Sequence, residues 1–267
     1  MKEIKEYVKE KKEELRQKFN LFRESTGINP TLIIIQVGNN DASNTYIKGK
    51  MKDSAELGVN AIHEKYDTIS EKDLLDRIEE INNDSNVHGL LVQLPLPKDI
   101  SEEKVKRAIS PIKDVDGFNE YSTVTPCTPG GIINYLNDEN VEIRGKNALV
   151  VGRSNIVGLP MAKCLLDNNA SVTVVHSKTP LEELKKYVAN ADIIVCAVGR
   201  LRLLDHTFEY KDSAILIDVG INRDEEGKLY GDIERGLPVA FQSPVPGGVG
   251  LLTRITIFTN LLKLMSK

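Results

Sequence analysis

Short runs of aliphatic and β-branched residues recur along this chain with helical stretches between them, and that alternation leaves few folds open. The runs are residues 31–37 (TLIIIQV), 87–94 (VHGLLVQL), 147–152 (NALVVG), 171–176 (SVTVVH), 192–197 (DIIVCA) and 214–219 (AILIDV). Most are apolar through their length rather than alternating. They therefore read as strands covered on both faces, the mark of a parallel sheet flanked by helices. The helices carry start signals. Ser70 with Asp73 and Thr179 with Glu182 have capping-box spacing, and Thr128-Pro129 and Thr179-Pro180 put proline at a first helical position. The expected class is α/β, with βαβα order throughout.

At 267 residues the chain has room for one large domain or two ordinary ones. Residues 117–131 (GFNEYSTVTPCTPGG) are uncharged apart from Glu120, rich in turn formers, and separate two strand-helix series of similar size. Residues 243–250 (SPVPGGVG) precede an apolar segment ending at Met265, read as a helix returning to the first domain. The expected domains are 1–118 plus 251–267, and 119–250, flanking a cleft with the two chain crossings as its hinge.

Lys plus Arg number 35 against 39 Asp plus Glu, for a net charge of −4. That balance removes the general electrostatic argument for nucleic acid, so any anion must be bound locally. There is no run of about 18 apolar residues and no apolar centre near the start, so neither a membrane anchor nor a targeting leader is expected. Cys127, Cys164 and Cys196 lie far apart without a CxxC pair, which fits a reducing cytoplasm rather than a disulfide framework. The four histidines have no ligand spacing, and no metal is expected.

The dinucleotide fingerprint GxGxxG is absent. After the strand at 147–152 comes GRSNIVGLP, residues 152–160, with Gly152 and Gly158 six apart. A glycine turn leading into a helix N-terminus still offers backbone N–H groups and a positive dipole end to phosphate. An ordinary glycine turn would read the same way at this point. The next strand ends in His176-Ser177-Lys178 rather than in the carboxylate that holds a ribose 2′-hydroxyl. With Arg153 beside the first glycine, the site suits an added 2′-phosphate, favouring NADP over NAD. Lys178 is read as a solvated surface charge.

Residues 41–58 read as a helix started by Asp41 or Ser43 and stopped near Gly58. At about 100° per residue, with Ile47 and Met51 marking the apolar stripe, Lys50 lies roughly 60° off that axis and Lys52 about 140° off. Tyr46, four residues before Lys50, shares its face. A lysine partly desolvated there would be available for proton transfer near neutral pH; the alternative is a packed stem with the head in water. Gln93 and Asp116 stand near strand ends, where α/β proteins place ligands. Each also reads as an ordinary loop residue, Asp116 as a turn cap.

The motifs SNTYIKGK (43–50), VQLPLP (92–97), KDVDG (113–117), PCTPGG (126–131), GRSNIVGLP, HSKT (176–179) and PVPGGVG (244–250) stand in a telling order. It is the order found in the methylenetetrahydrofolate dehydrogenase/cyclohydrolase family, which the chain resembles over nearly its whole length. The resemblance implies two α/β domains around a cleft, the second a Rossmann-like NADP domain, and tetrahydrofolate derivatives as substrates. It also implies a cytoplasmic homodimer in one-carbon metabolism and purine biosynthesis. Carried over by motif, Lys50 matches the family's catalytic lysine and Gln93 its partner. Tyr46 matches the tyrosine stacked on the folate's aminobenzoyl part, and Asp116 the aspartate that holds the pterin. Gly152, Ser154 and Gly158 match the cofactor loop, and Arg153 and Ser177 the 2′-phosphate contacts. Pro244, Gly247 and Gly248 match the loop beside folate and nicotinamide. Residues 250–253 read GLLT where members commonly have GPMT, a departure expected to loosen that loop. The readings left in competition are a dehydrogenase without cyclohydrolase activity, an oxidoreductase of the shikimate-dehydrogenase type, and a noncatalytic nucleotide-binding module.

Overall fold

Each apolar run of the sequence contains a parallel strand: the run 31–37 is strand throughout, and the others are shortened by one to four residues. The structure, a computed structural model, describes residues 1–224 and 226–266; Glu225 and Lys267, within the ranges expected for the second and first domains, lie outside the described residues. The elements begin α1 (Ile4–Thr26), β1 (Thr31–Val37), α2 (Asp41–Leu57), β2 (Asn60–Tyr66), α3 (Glu71–Asn83), β3 (Gly89–Val92), α4 (Glu102–Ala108) and α5 (Cys127–Asp138). They continue β4 (Asn147–Val151), α6 (Gly158–Asp167), β5 (Ser171–Val175), α7 (Leu181–Asn190), β6 (Ile193–Cys196) and β7 (Ile215–Asp218). The last are β8 (Asn222–Arg223), β9 (Leu229–Tyr230), β10 (Phe241–Gln242) and α8 (Val249–Met265). Among the described residues no helix is long and apolar enough to cross a membrane.

The chain divides into two compact units, Lys9–Cys127 with Arg254–Lys267, and Met1–Val8 with Thr128–Thr253. By contacts, residues 119–127 group with the first unit and 251–253 with the second, each across the expected boundary, and residues 1–8, expected with the first domain, group with the second unit. The reason for the last is local: Tyr135 donates its hydroxyl to the Lys2 carbonyl, Tyr7 donates to Asp138 at 2.8 Å, and the two tyrosine rings meet edge-on at 5.0 Å.

In the first unit the sheet order is β2-β1-β3, all parallel, with Leu32 beside Ala61 on one flank and Gly89 on the other. Ile33, Ile35 and Val37 share a core with Leu74, Ile78 and Ile81 of α3. β2 is absent from the apolar runs because its sequence, NAIHEKY, is mostly polar; among the described residues it pairs only with β1, and charged side chains suit such an edge. Ser70 caps α3 as its spacing foretells, accepting the Asp73 amide at 3.1 Å. The last turns of α8 return to this unit. A side chain at Gly89 would meet Val115 at 2.6 Å and Leu261 at 2.9 Å, so only glycine lets β3 lie this close to the helix.

In the second unit the order is β10-β7-β6-β4-β5, again parallel. Leu149, Val151, Val175, Val188 and Ile194 anchor its core. Two helix starts differ from expectation. α7 begins at Leu181 rather than Pro180, because the Thr179 hydroxyl turns back to accept the His176 amide at 3.1 Å instead of capping. Pro129 is the third residue of α5, still inside the first turn, where no amide hydrogen is needed.

In each sheet one strand has its two sequence successors on opposite sides: β1 between β2 and β3, and β4 between β5 and β6. Open parallel sheets bind ligands beyond the carboxyl ends of their strands at such reversals.

Candidate active site

Asn40 starts α2, its side chain accepting the Ser43 amide at 3.0 Å; the expected starters Asp41 and Ser43 are helical residues, and Gly58, at φ 70°, ends the helix. On this helix Lys48 and Lys52 are exposed, whereas Lys50 is only 5% exposed. Its amine is therefore inside the protein, not merely at the margin of the core. Lys50 Nζ donates to Gln93 Oε1 at 2.8 Å. Gln93 extends β3 by one rung, its amide donating to the Ile35 carbonyl at 2.8 Å, which places it at the strand reversal. Its side-chain nitrogen donates to the Leu94 carbonyl at 2.8 Å, an oxygen that also accepts the Ser43 hydroxyl at 3.2 Å. With the nitrogen committed there, the Gln93 oxygen can only face Lys50.

Burial is the main influence on Lys50 and lowers its pKa; Asp116 and Cys127 oppose the shift, while Arg254 adds to it. Tyr46 is half-buried on the same helix, and its phenol is pushed up by burial against a smaller opposite pull from Arg254. Asp116 is not the turn cap. That duty falls to Asp114, 1% exposed, which accepts the Gly117 amide at 2.9 Å and the Asn119 amide at 2.8 Å. Burial raises the Asp114 carboxyl to about 6 despite those bonds. The Asp116 carboxyl is likewise raised by burial, with Lys50 and a hydrogen bond from Cys127 holding it down.

Two residues of this surround escape a reading of the sequence. Arg254 of α8 donates to both oxygens of Asp53, at 2.7 and 3.3 Å, and its guanidinium occupies the space a side chain at Gly49 would need. Asn260 of α8 donates to the Val115 carbonyl at 2.9 Å and the Thr125 carbonyl at 3.0 Å, clasping the two segments on either side of Asp116. Only the apolar, helical character of residues 251–265 hinted at such packing.

In the second unit Gly152 follows β4 at φ 121°, and a side chain there would overlap the Ala197 carbonyl; one at Gly158 would overlap the Gly152 carbonyl. Both glycines are thus required by close backbone approach. The Ser154 hydroxyl accepts the Val157 amide at 3.1 Å and the Gly158 amide at 3.3 Å, closing the turn into α6. Arg153 and Ser177 are exposed. Val151 and Val175 are register partners in β4 and β5, so these two residues, each two places further on, leave adjacent strand ends side by side.

Pro244 lines a pocket of about 380 Å³ with Arg235 and residues 242–246. Gly247 takes φ 95°, and Gly248 lies where a side chain would overlap the Pro244 carbonyl. The GLLT departure does not leave this loop untied. The Leu251 amide, which a proline would lack, donates to the Gly248 carbonyl at 2.9 Å.

Two family models match the chain: the tetrahydrofolate dehydrogenase/cyclohydrolase catalytic domain over residues 2–116, and the NAD(P)-binding domain of the same family over 126–267. A bifunctional protein FolD of Streptococcus thermophilus is 45% identical over 257 residues, covering 90% of this chain and 88% of the relative. Among solved structures, the bifunctional FolD of Campylobacter jejuni superposes with a TM-score of 0.94 at 38% identity, covering 99% of this chain and 97% of the other. The Trypanosoma brucei enzyme, solved with NADP and an inhibitor, gives 0.93 at 30% identity, covering 100% and 97%.

Proposed function

Because the chain belongs to the tetrahydrofolate dehydrogenase/cyclohydrolase family, we propose that Lys50 moves the protons of its hydrolytic reaction and that Arg153 and Ser177 select its cofactor. The protein is a bifunctional enzyme. It oxidises 5,10-methylenetetrahydrofolate to the 5,10-methenyl form with NADP and hydrolyses that product to 10-formyltetrahydrofolate. The observation that carries the proposal is the buried Lys50 amine held at 2.8 Å by an amide with a fixed orientation.

In the hydrolysis, water adds to the cationic methenyl carbon, and Lys50, as neutral amine, takes a proton from it as the C–O bond forms. The proton is returned to N5 as the C–N5 bond breaks, and the carbinol O–H gives up its own proton to solvent as the formyl C=O forms. The balance is one water consumed and one proton released. Gln93 keeps the amine in place, and burial keeps a usable fraction of it uncharged. The dehydrogenation needs no acid, because the cation that forms is shared by two nitrogens. There the protein's work is orientation, worth about 7–11 kcal/mol when the reacting atoms are held at near-attack distance. In the first unit Tyr46 stacks on the aminobenzoyl ring and Asp116 accepts the pterin N–H groups; in the second, Pro244, Gly247 and Gly248 supply backbone beside the nicotinamide.

Bound NADP supplies the hydride acceptor. The second unit fits it: the glycine pair leaves backbone open to a pyrophosphate, and the end of β5 carries no carboxylate to repel a 2′-phosphate. In Arg153→Ala the KM for NADP should rise about ten- to a hundredfold, the range of a lost charged hydrogen bond, with NAD far less affected. Equal losses for both cofactors in steady-state kinetics would remove this assignment.

Family membership also supports a cytoplasmic homodimer whose formyl product feeds purine biosynthesis; light scattering should return the mass of two chains. The central test follows methenyl absorbance with each nicotinamide cofactor. A rise and then a decay with NADP is expected, and a rise without decay would leave Lys50 without the role given it.

A further inference from the structure

Asp232 takes part in neither reaction, yet both of its oxygens are fully engaged. It is 0% exposed. One oxygen accepts the Val198 amide at 2.7 Å and the Gly199 amide at 3.0 Å; the other accepts the Arg200 amide at 2.8 Å and the Asn222 side chain at 2.9 Å. Three consecutive backbone N–H groups just beyond β6 thus converge on one buried anion. A carboxylate is tolerated at this depth only when charge-assisted hydrogen bonds replace its water. Gly220 leaves the room for it, since a side chain there would overlap the carboxyl. Asp218 at the end of β7 fixes its backbone, accepting the Asp232 amide at 2.9 Å.

What these bonds shape is one wall of the strand reversal. β6 lies beside β4, with Val151 opposite Cys196, and the Ala197 amide donates to the Val151 carbonyl at 2.8 Å. The Ala197 carbonyl fills the space beside Gly152, and Val198 is 38% exposed, an apolar side chain left uncovered next to the glycine turn. We propose that Asp232 is a positioning residue of the dinucleotide site, holding residues 198–200 so that Val198 is presented to a planar ring of the cofactor. The inference rests on the reading of the second unit as the NADP domain.

Asp232→Asn tests it, since the amide keeps the shape but turns an N–H donor toward backbone donors. The KM for NADP should rise about tenfold or more, by a larger factor than dehydrogenase kcat falls at saturating NADP. Nucleotide-free hydrolysis of methenyltetrahydrofolate, which depends on Lys50 in the other unit, should stay within about twofold of wild type on that independence. Asn222→Ala, removing one of these donors, should shift the NADP KM in the same direction by less. An unchanged NADP KM in a folded Asp232→Asn overturns the proposal, as do both activities falling in parallel, the result of general destabilisation. Should Asp232→Asn not fold, an unchanged KM in Asn222→Ala overturns it instead. A failure of the cofactor reading shows separately, in a wild-type enzyme whose methenyl formation does not depend on NADP, and takes this proposal with it.

Discussion

Lys50→Met should lower methenyltetrahydrofolate hydrolysis by about 10²- to 10⁴-fold, the range that a positioned acid or base contributes, while hydride transfer stays measurable. Methionine is unbranched and fills much of the lysine's buried volume, so the helix should keep its packing. What is lost is the amine and its bond to Gln93, whose oxygen is left without that donor. Removing one partner of a buried bond costs about 1–3 kcal/mol, too little to unfold a domain of ordinary stability. The pH profile adds a signature. Burial lowers the Lys50 pKa, so the neutral amine persists to lower pH than in free lysine. Wild-type hydrolysis should rise with pH through an ionisation below the usual lysine range, and the methionine variant should lack that inflection. A purified variant with a normal hydrolysis rate would end the proposed role.

Gly152→Ala should remove most NADP-dependent oxidation while sparing hydrolysis. At φ 121° an L-residue is strained, at a cost of order 1–3 kcal/mol. The added methyl would also overlap the Ala197 carbonyl, which is backbone and cannot rotate away. The turn must therefore rebuild, carrying with it the amides that follow β4 and the start of α6. The two assays report on different units, so a variant in which both activities fall together would point to unfolding rather than to a damaged cofactor turn.

The angular position of Lys50 was legible because α2 is regular, and an angle measured from Ile47 and Met51 is enough to separate three lysines. The depth of its burial was not legible. Burial is assembled from other elements, and so are the charges of Asp116, Cys127 and Arg254 that act on the amine, all remote in sequence. The same distinction explains β2, whose polar edge gives no apolar run, and Asn40, one of several adjacent residues able to cap α2. It also explains Asp232: a lone acid between short strands carries no local sign that so many donors will close on it. Periodicity reports what a residue's own element does, while the surround of a buried polar group is assembled from elsewhere.

The return of α8 to the first unit makes that unit discontinuous in sequence. Asn260 completes its interior by donating to a carbonyl 145 positions earlier, at Val115, and the second unit's residues are threaded between the two. The first unit therefore cannot consolidate from one contiguous stretch of chain: segments on both sides of the intervening unit must meet before its interior closes.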